Sequence, residues 1–355
     1  MAVYKDKNGK WFVSVRYEDW RGLPARKLKR GFTTKKEAAE WENEFLTKNA
    51  GNLSMTFDAF FNIYKNNMMQ RVKLNTWLTK ESIVTKHISP YFGKKRMCDI
   101  SVRDVMIWQN TMLAYRNEEG EPFSPGYLKT MHNQLSAIFN HAVKFYELKS
   151  NPAAKAGNMG KEKTREMKFW TKDEYLKFSE EIMDKPMSYY AFEVLYWCGL
   201  RVGELLALTS RDIDLKKKVI RINKSYQRIN QEDIITEPKT PKSNRTVLIP
   251  DFLCEELEEY MDSIYGLKPN DRLFPVTKSY MHYEIKRGAK KAGLKQIRVH
   301  DIRHSHVSLL IEMGFSAVAI ADRVGHESID ITFRYAHLFP TTQNSIVDKL
   351  EIERG

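Results

Sequence analysis

The residues of this chain that could do chemistry are basic side chains grouped around one tyrosine. Tyr335 lies in the C-terminal run VGHESIDITFRYAH, which also contains His326. Upstream lie Arg201 in CGLRVGEL and the pair His300 and Arg303 in HDIRH. A tyrosine hydroxyl among fixed cations can attack a phosphodiester, because the cations stabilise the negative charge of the transition state. An arginine fork matches two phosphate oxygens and stays charged at any working pH.

Taken singly, these residues also have ordinary structural explanations. Arg201 follows an apolar helix that Gly199 would end, and it can pair with Glu204 three residues on. A tyrosine among residues such as Phe333 and Phe339 is more typical of a core than of a nucleophile. The functional interpretation therefore depends on the set of residues rather than on one of them.

The spacing of His300 and His304 is also found in zinc sites. However, the glutamate of an HExxH motif is missing, and the guanidinium of Arg303 would repel a metal ion. The chain also shows no clustered carboxylates suited to two-metal catalysis. The sequence therefore predicts cleavage of a phosphodiester without a metal or another cofactor.

Three segments resemble the signature boxes of the tyrosine recombinases, the phage-integrase family: GLRVGELLAL, HDIRHSH and VGHESIDITFRYAH. This resemblance implies that Tyr335 is the nucleophile, which forms a 3′-phosphotyrosine and frees a 5′-hydroxyl. It implies that Arg201 and Arg303 clamp the scissile phosphate. His300 would assist proton transfer or hydrogen-bond the phosphate, and His326 would buttress the transition state.

The resemblance further implies a lysine on a β-hairpin as general acid for the leaving oxygen. Lys239 in EPKTPKSNRTVLIP matches this residue, and Lys242 is a close rival. At positions where the family commonly has leucine, this chain has Ile302 and Val324. Both substitutions are conservative.

Hydrophobic periodicity predicts a multidomain fold of five segments. They are a small three-stranded β-sheet plus helix (1–50), an all-α domain (53–155), a polar linker (156–168), a mixed, mainly α domain with a small antiparallel sheet (169–340) and a C-terminal tail (341–355). The resemblance implies that the first is an arm-type DNA-binding domain, the second a core-binding domain and the fourth the catalytic domain. In the catalytic domain, the runs KKKVIRINKSYQRI, DIITEPKT and NRTVLIP predict three short strands. The tail has apolar residues at roughly helical spacing, and we expect it to pack on a neighbouring subunit.

The charge of the chain favours a polyanionic partner. Its 355 residues carry a net charge of +13. Residues 1–36 hold eleven Lys or Arg against three Asp or Glu, or +8. This basic segment predicts contact with nucleic acid, although a solvated edge that resists aggregation would have the same composition.

Two absences in the sequence bear on location. There is no apolar run of about 18 residues and no signal-peptide pattern at the N-terminus, so we expect no membrane association. Three scattered cysteines form no disulfide framework, which favours a reducing cytosol. The resemblance implies that this is the bacterial cytoplasm.

The resemblance implies an integrase of the kind carried by Gram-positive phages and integrative conjugative elements. Its partners would be double-stranded DNA attachment sites of core and arm types and, in the synaptic complex, a homo-tetramer. An excisionase and a host DNA-bending protein could assist it. Two alternatives are strand relaxation of the type IB topoisomerase kind and a non-catalytic DNA-binding regulator.

Overall fold

The computed structural model describes most of the chain, in eight stretches: residues 3–7, 9–18, 24–48, 53–160, 167–238, 241–329, 332 and 335. The chain divides into two compact units, Met1–Arg165 and Glu166–Gly355. Lys239 and the tail 341–355 lie outside the described residues.

The first unit begins with a three-stranded antiparallel sheet and one helix, as predicted. The elements are β1 (Val3–Lys5), β2 (Trp11–Glu18), β3 (Pro24–Phe32) and α1 (Lys35–Lys48), with strand order β1-β2-β3. The Thr34 hydroxyl accepts a hydrogen bond from the Glu37 amide (3.1 Å) and so caps α1. Val13, Val15, Phe32 and Ala38 form the small core between the sheet and this helix.

Helices make up the rest of the first unit. They are α2 (Phe57–Met68), α3 (Leu74–Ile83), a π-helical turn (Val84–Ile88), α4 (Ser89–Phe92), α5 (Val102–Ala114), α6 (Pro125–Phe145) and α7 (Pro152–Ala156). Helices α5 and α6 begin after capping serines, since Ser101 and Ser124 each accept a hydrogen bond from a first-turn amide. Phe57, Trp108 and Phe139 are fully buried in the shared core of these helices.

The second unit is mainly helical with small antiparallel sheets. Its helices are α8 (Lys172–Ile182), α9 (Pro186–Cys198), α10 (Val202–Leu205), α11 (Asp251–Ser263), α12 (Lys278–Lys291), α13 (Val299–Glu312) and α14 (Ala317–Val324). Its strands are β4 (Ile213–Asp214), β5 (Val219–Ile222), β6 (Ser225–Ile229), β7 (Glu232–Thr236) and β8 (Arg245–Leu248).

The prediction of three strands in this unit was wrong, because the first run holds two strands that join different sheets. β5 pairs with β4 and β8, whereas β6 and β7 form a separate hairpin. The chain leaves the first sheet at Asn223-Lys224, where the ammonium of Lys224 contacts the Asp212 carboxylate at 2.7 Å. This ion pair holds a turn that hydrophobic alternation does not reveal.

Candidate functional site

Arg201 sits at a helix junction, as its sequence context predicts. Gly199 ends α9 in the left-handed region (φ 62°), and Arg201 is the N-cap residue of α10. Its guanidinium donates to the Gly325 carbonyl oxygen (3.0 Å) and to the Glu204 carboxylate (2.7 Å). The side chain is 35% exposed, so it is anchored on one side and accessible on the other.

Glu204 is the buried counter-charge of the site. Its carboxylate contacts Arg201 at 2.7 Å and Arg245, which comes from β8, at 3.0 Å. Burial acts to raise the pKa of Glu204, but the charges and hydrogen bonds of the two arginines outweigh burial and keep that pKa below its usual value. Glu204 is therefore ionised, and it fixes the orientation of Arg201.

Arg303 is held differently, by backbone oxygens. It lies on α13, is 3% exposed, and donates to the carbonyl oxygens of Gly199 (2.8 Å) and Val324. Among the described residues, no carboxylate forms a salt bridge with it. Burial, and next the charge of Arg201, lowers the pKa of Arg303 to about 9, so it stays charged at neutral pH. A phosphate would relieve this uncompensated charge.

Two glycines make this arrangement possible. Gly199 and Gly325 both have positive φ (62° and 66°), and each directs its carbonyl oxygen at one arginine. A Cβ at Gly199 would lie 2.4 Å from the ring of His306, and one at Gly325 would lie 2.9 Å from the side chain of Arg245. Both positions therefore require glycine on conformational and steric grounds.

His326 directly follows Gly325 and is buried. Its Nδ1 is 2.8 Å from the hydroxyl of Thr332, whose carbonyl oxygen accepts the amide of Tyr335 (3.0 Å). Burial, and then the charges of Arg303 and Arg201, lowers the pKa of His326 to about 3. The imidazole is therefore neutral, and its one N–H group can donate a hydrogen bond to a phosphate.

Tyr335 lies near Arg303 of its own chain. The phenol is 2% exposed and packs with Val307, Ile311 and Val324. It is close enough to act electrostatically on Arg303, and its hydroxyl is hydrogen-bonded to Nδ1 of His304. Tyr335 is thus both a core residue, packed in an apolar cluster, and a member of the basic site.

His300 lies on the exposed side of α13, one turn before His304, and the two rings meet edge to face with centroids 5.1 Å apart. The protein atoms around its ring, and next the charge of Arg303, lower the pKa of His300. An exposed imidazole that is neutral at pH 7 can exchange a proton with a bound phosphate.

The lysine of the site remains a prediction. Lys239 lies just beyond the β6–β7 hairpin and outside the described residues. Lys242 is exposed and precedes Ser243, whose hydroxyl is 3.4 Å from the Arg201 guanidinium. The choice between Lys239 and Lys242 therefore needs an experiment.

Sequence reasoning missed two residues of the site. The first is His304, which was considered only for its spacing to His300. The second is Arg245, which links Glu204 to the carbonyl oxygen of Arg323 (3.0 Å). The alternation of β8 gave a signal for Arg245, because it lies two residues before the buried Val247 on the same face.

The N-terminal sheet has a basic face opposite α1. The register pairs Phe12 with Arg30, and Arg16 with Arg26, and all three arginines are exposed. Arg26 also donates to the hydroxyl of Ser14 (2.7 Å), and Arg30 lies over the ring of Phe12. We call Arg16, Arg26 and Arg30 the arginine face of the sheet. The lysines of β3 point the other way, since Lys29 lies over Trp41 of α1.

Within the described stretches, no group of three or more His, Cys, Asp or Glu is placed to hold a metal ion. Nor does any helix there have the length and apolar character needed to cross a bilayer.

Comparisons with known proteins agree with this architecture. Residues 168–341 match the phage integrase family, residues 56–113 its N-terminal SAM-like domain, and residues 1–49 an arm DNA-binding domain. The ICEBs1 integrase of Bacillus subtilis is 31% identical over 99% of both chains. A XerC-like tyrosine recombinase of Caldanaerobacter subterraneus is 25% identical over 97% of both chains.

Solved structures show the same fold. The Tn1549 transposon integrase bound to a circular intermediate DNA superposes with a TM-score of 0.70 at 21% identity, covering 84% of this chain and 99% of that one. A lambda integrase dimer bound to a core site superposes with a TM-score of 0.60 at 20% identity, covering 94% of each chain. The chain therefore belongs to the phage integrase family and is a tyrosine site-specific recombinase.

Proposed function

We propose that this recombinase integrates and excises a mobile element through a 3′-phosphotyrosine intermediate formed by Tyr335. The observation that carries the proposal is the hydrogen bond of the Tyr335 hydroxyl to His304, the residue next to Arg303 in the same chain. Arg201 and Arg303 bind the scissile phosphate, Glu204 and the glycine carbonyls orient them, and His300 and His326 hydrogen-bond the phosphate oxygens.

The reaction conserves the energy of the broken bond. The Tyr335 oxygen forms a bond to phosphorus, the bond from phosphorus to the 5′-oxygen breaks, and Lys239 supplies a proton to that oxygen. A 5′-hydroxyl of the partner DNA then attacks the phosphotyrosine, and Tyr335 recovers its proton. An ordinary tyrosine is only about 0.1% ionised at neutral pH, so the neighbouring cations contribute by favouring the phenolate.

The partners of this chain are DNA duplexes and other copies of itself. A lambda integrase dimer is bound to a core site, and a lambda integrase tetramer is bound to a Holliday junction. We infer that the second unit and the helices of the first bind core-type sites, that the arginine face binds arm-type sites, and that four copies act together. Three-stranded sheets can place such a face in a DNA groove.

Accessory factors and location complete the proposal. An excisionase and a DNA-bending protein would set the direction of the reaction. The three cysteines, Cys98, Cys198 and Cys254, are free thiols, which fits the reducing bacterial cytoplasm.

A suicide-substrate reaction tests the function. A core-type duplex with a nick close to the scissile phosphate, on its 3′ side, releases the short fragment that bears the freed 5′-hydroxyl, and so traps the covalent protein–DNA adduct. Wild type should accumulate adduct, and Tyr335→Phe should bind the duplex with unchanged affinity and trap none. Adduct formation by Tyr335→Phe, or its absence from wild type on a cognate attachment site, would refute the proposal.

A further inference from the structure

His304 occupies a position that the roles proposed above leave without a function. It follows Arg303 on α13, is 17% exposed, and its Nδ1 is hydrogen-bonded to the hydroxyl of Tyr335. The hydroxyl of the nucleophile is thus hydrogen-bonded to an imidazole of its own chain.

The direction of this hydrogen bond follows from the other ring nitrogen. Nε2 of His304 lies 3.7 Å from the Asp301 carboxylate, one turn earlier on the same helix. A carboxylate on that side favours the tautomer with its proton on Nε2. Nδ1 then carries a lone pair, so the Tyr335 hydroxyl donates and Nδ1 accepts.

Asp301 is itself fixed in place. It is 1% exposed, it caps the first turn of α13 by accepting the Arg298 amide (2.9 Å), and it pairs with the Arg298 guanidinium at 2.8 Å. Burial acts to raise the pKa of Asp301, but the hydrogen bonds and charge of Arg298 lower it overall. The ionised carboxylate therefore orients His304 and can stabilise a positive charge on its ring.

The ring of His304 is uncharged at neutral pH, so Nδ1 can accept a proton. Burial, and next the nearby His300, lowers the pKa of His304 to about 4, so the ring is neutral at pH 7. The charged or titratable groups that face it are Arg298, His300, Asp301 and Arg303 on α13, with His326 and Tyr335 from the segment after α14.

We propose that His304 is a catalytic residue, the general base that removes the proton of Tyr335 as the phenol attacks the scissile phosphate. This inference rests on the proposed function. The Tyr335 O–H bond breaks and its proton passes to Nδ1, while the phenol oxygen bonds to phosphorus and the 5′-oxygen leaves with a proton from the general acid. In the joining step Nδ1 returns the proton to the departing phenolate. Arg298, Asp301, His304 and Tyr335 thus form one line of contacts.

The test compares substitutions that separate proton transfer from positioning. His304→Ala removes the ring, whereas His304→Asn keeps an acceptor near the position of Nδ1 that cannot take up a proton. Both variants should form the covalent adduct about 100-fold more slowly than wild type, the range expected for loss of a general base. His282→Ala, an exposed histidine on α12, is the matched control and should react at the wild-type rate.

Two readouts distinguish a base from a residue that only supports the fold. Without a base, the phenolate must form in solvent, so the variants should gain up to about tenfold in rate per pH unit between pH 6 and 9, with a much flatter profile for wild type. A substrate with sulfur at the 5′-bridging position has a leaving group that needs no acid. It should restore a general-acid variant such as Lys239→Ala but leave His304→Ala slow.

Each outcome bears on the inference separately from the proposed function. Wild-type adduct together with an equally fast His304→Ala, a fully active His304→Asn, or recovery of His304→Ala on the sulfur substrate would overturn the role of His304 alone. Loss of folding in His304→Ala, seen as an altered circular dichroism spectrum, leaves His304→Asn as the deciding variant. Absence of adduct from wild type would instead contradict the proposed function.

Discussion

At the scale of single residues, the site is built on backbone oxygens as much as on side chains. Arg201 and Arg303 each donate to the carbonyl oxygen of a glycine, and Glu204 supplies a close carboxylate to Arg201. Fixed donors of this kind stabilise charge in a transition state without reorganising. Each such donor is typically worth about 3–4 kcal/mol of transition-state stabilisation.

A prediction for Glu204 follows from its two arginine partners. Glu204→Gln removes a buried negative charge between Arg201 and Arg245, so we expect adduct formation to slow at least tenfold. The free energy of unfolding should fall by about 3 kcal/mol, as it does when one partner of a buried ion pair is lost. Chemical denaturation and the suicide-substrate rate measure the two effects.

The exposed Glu232 on β7 supplies the control for this change. Glu232→Gln should alter neither quantity. A Glu204→Gln protein with wild-type rate and stability would show that the carboxylate does not hold the arginines.

The sequence predicted most of the residue-level site. The signature segments yielded Arg201, His300, Arg303, His326 and Tyr335, and the structure groups these residues in the second unit. The contact between His304 and Tyr335 could not be predicted, because it depends on how the segment after α14 packs against α13. Spacing along the chain says nothing about that packing.

At the scale of elements, helices α8, α9 and α11 share a buried acidic centre apart from the site. Glu193 accepts hydrogen bonds from Tyr175, Ser179 and Trp197, at 2.7, 2.6 and 2.7 Å. Glu256 of α11 accepts one from Tyr189 (3.0 Å), and its other oxygen is buried without a hydrogen-bond partner among the described residues. Burial, and next the charge of Glu193, raises the pKa of Glu256 to about 7.

This raised pKa predicts a pH-dependent stability. An unfolded glutamate loses its proton near pH 4.3, whereas folded Glu256 keeps it until about pH 7. The folded state binds more protons between these values, so stability should fall as pH rises from about 5 to 7 and then level off. The loss should be about 3 kcal/mol at most, since Glu256 is only partly buried.

Glu256→Gln should remove most of this pH dependence and leave the protein more stable than wild type at pH 7.5. Denaturant unfolding at several pH values, followed by tryptophan fluorescence, measures the effect. The neighbouring exposed Glu255 is the control, and Glu255→Gln should keep the wild-type slope. A wild-type curve that is flat or rises between pH 5 and 7 would contradict the prediction.

The N-terminal sheet allows an equally direct test of its arginine face. Replacing Arg16, Arg26 and Arg30 by alanine should weaken binding to arm-type DNA and reduce the slope of log affinity against log salt by about 3, because each phosphate contact contributes about 0.9. Core-type cleavage should be unchanged.

The matched control removes three exposed lysines elsewhere in this domain: Lys27, Lys35 and Lys36. Equal effects of the two triple variants would show that total charge, rather than this face, binds the DNA.

Element prediction succeeded where periodicity was long and failed at short strands. The helices of the first unit and the first sheet follow from apolar spacing and capping residues such as Ser101 and Ser124. The break at Asn223-Lys224 between β5 and β6 was missed, because an ion pair with Asp212 defines it, and the alternating pattern continues across it.

At the scale of the whole molecule, the central claim concerns which chain supplies the nucleophile. Tyr335 is hydrogen-bonded to His304 and interacts electrostatically with Arg303 within one chain, although 31 residues separate Tyr335 from His304. Every active site in an assembly of copies should therefore be completed by the tyrosine of its own chain. Recombinases could instead share residues between subunits, and sequence alone does not distinguish the two designs.

Mixing two inactive variants tests this claim most directly. Tyr335→Phe keeps the arginines and lacks the nucleophile, and Arg303→Ala keeps the nucleophile and lacks an arginine. Suicide substrates incubated with both proteins together, at concentrations that permit synapsis, should yield no covalent adduct above that of either protein alone, because no chain then holds a complete site. Adduct carried by the Arg303→Ala chain in the mixture would show that Tyr335 acts in a partner's site, and would rule out cleavage by each chain's own tyrosine at its own arginines.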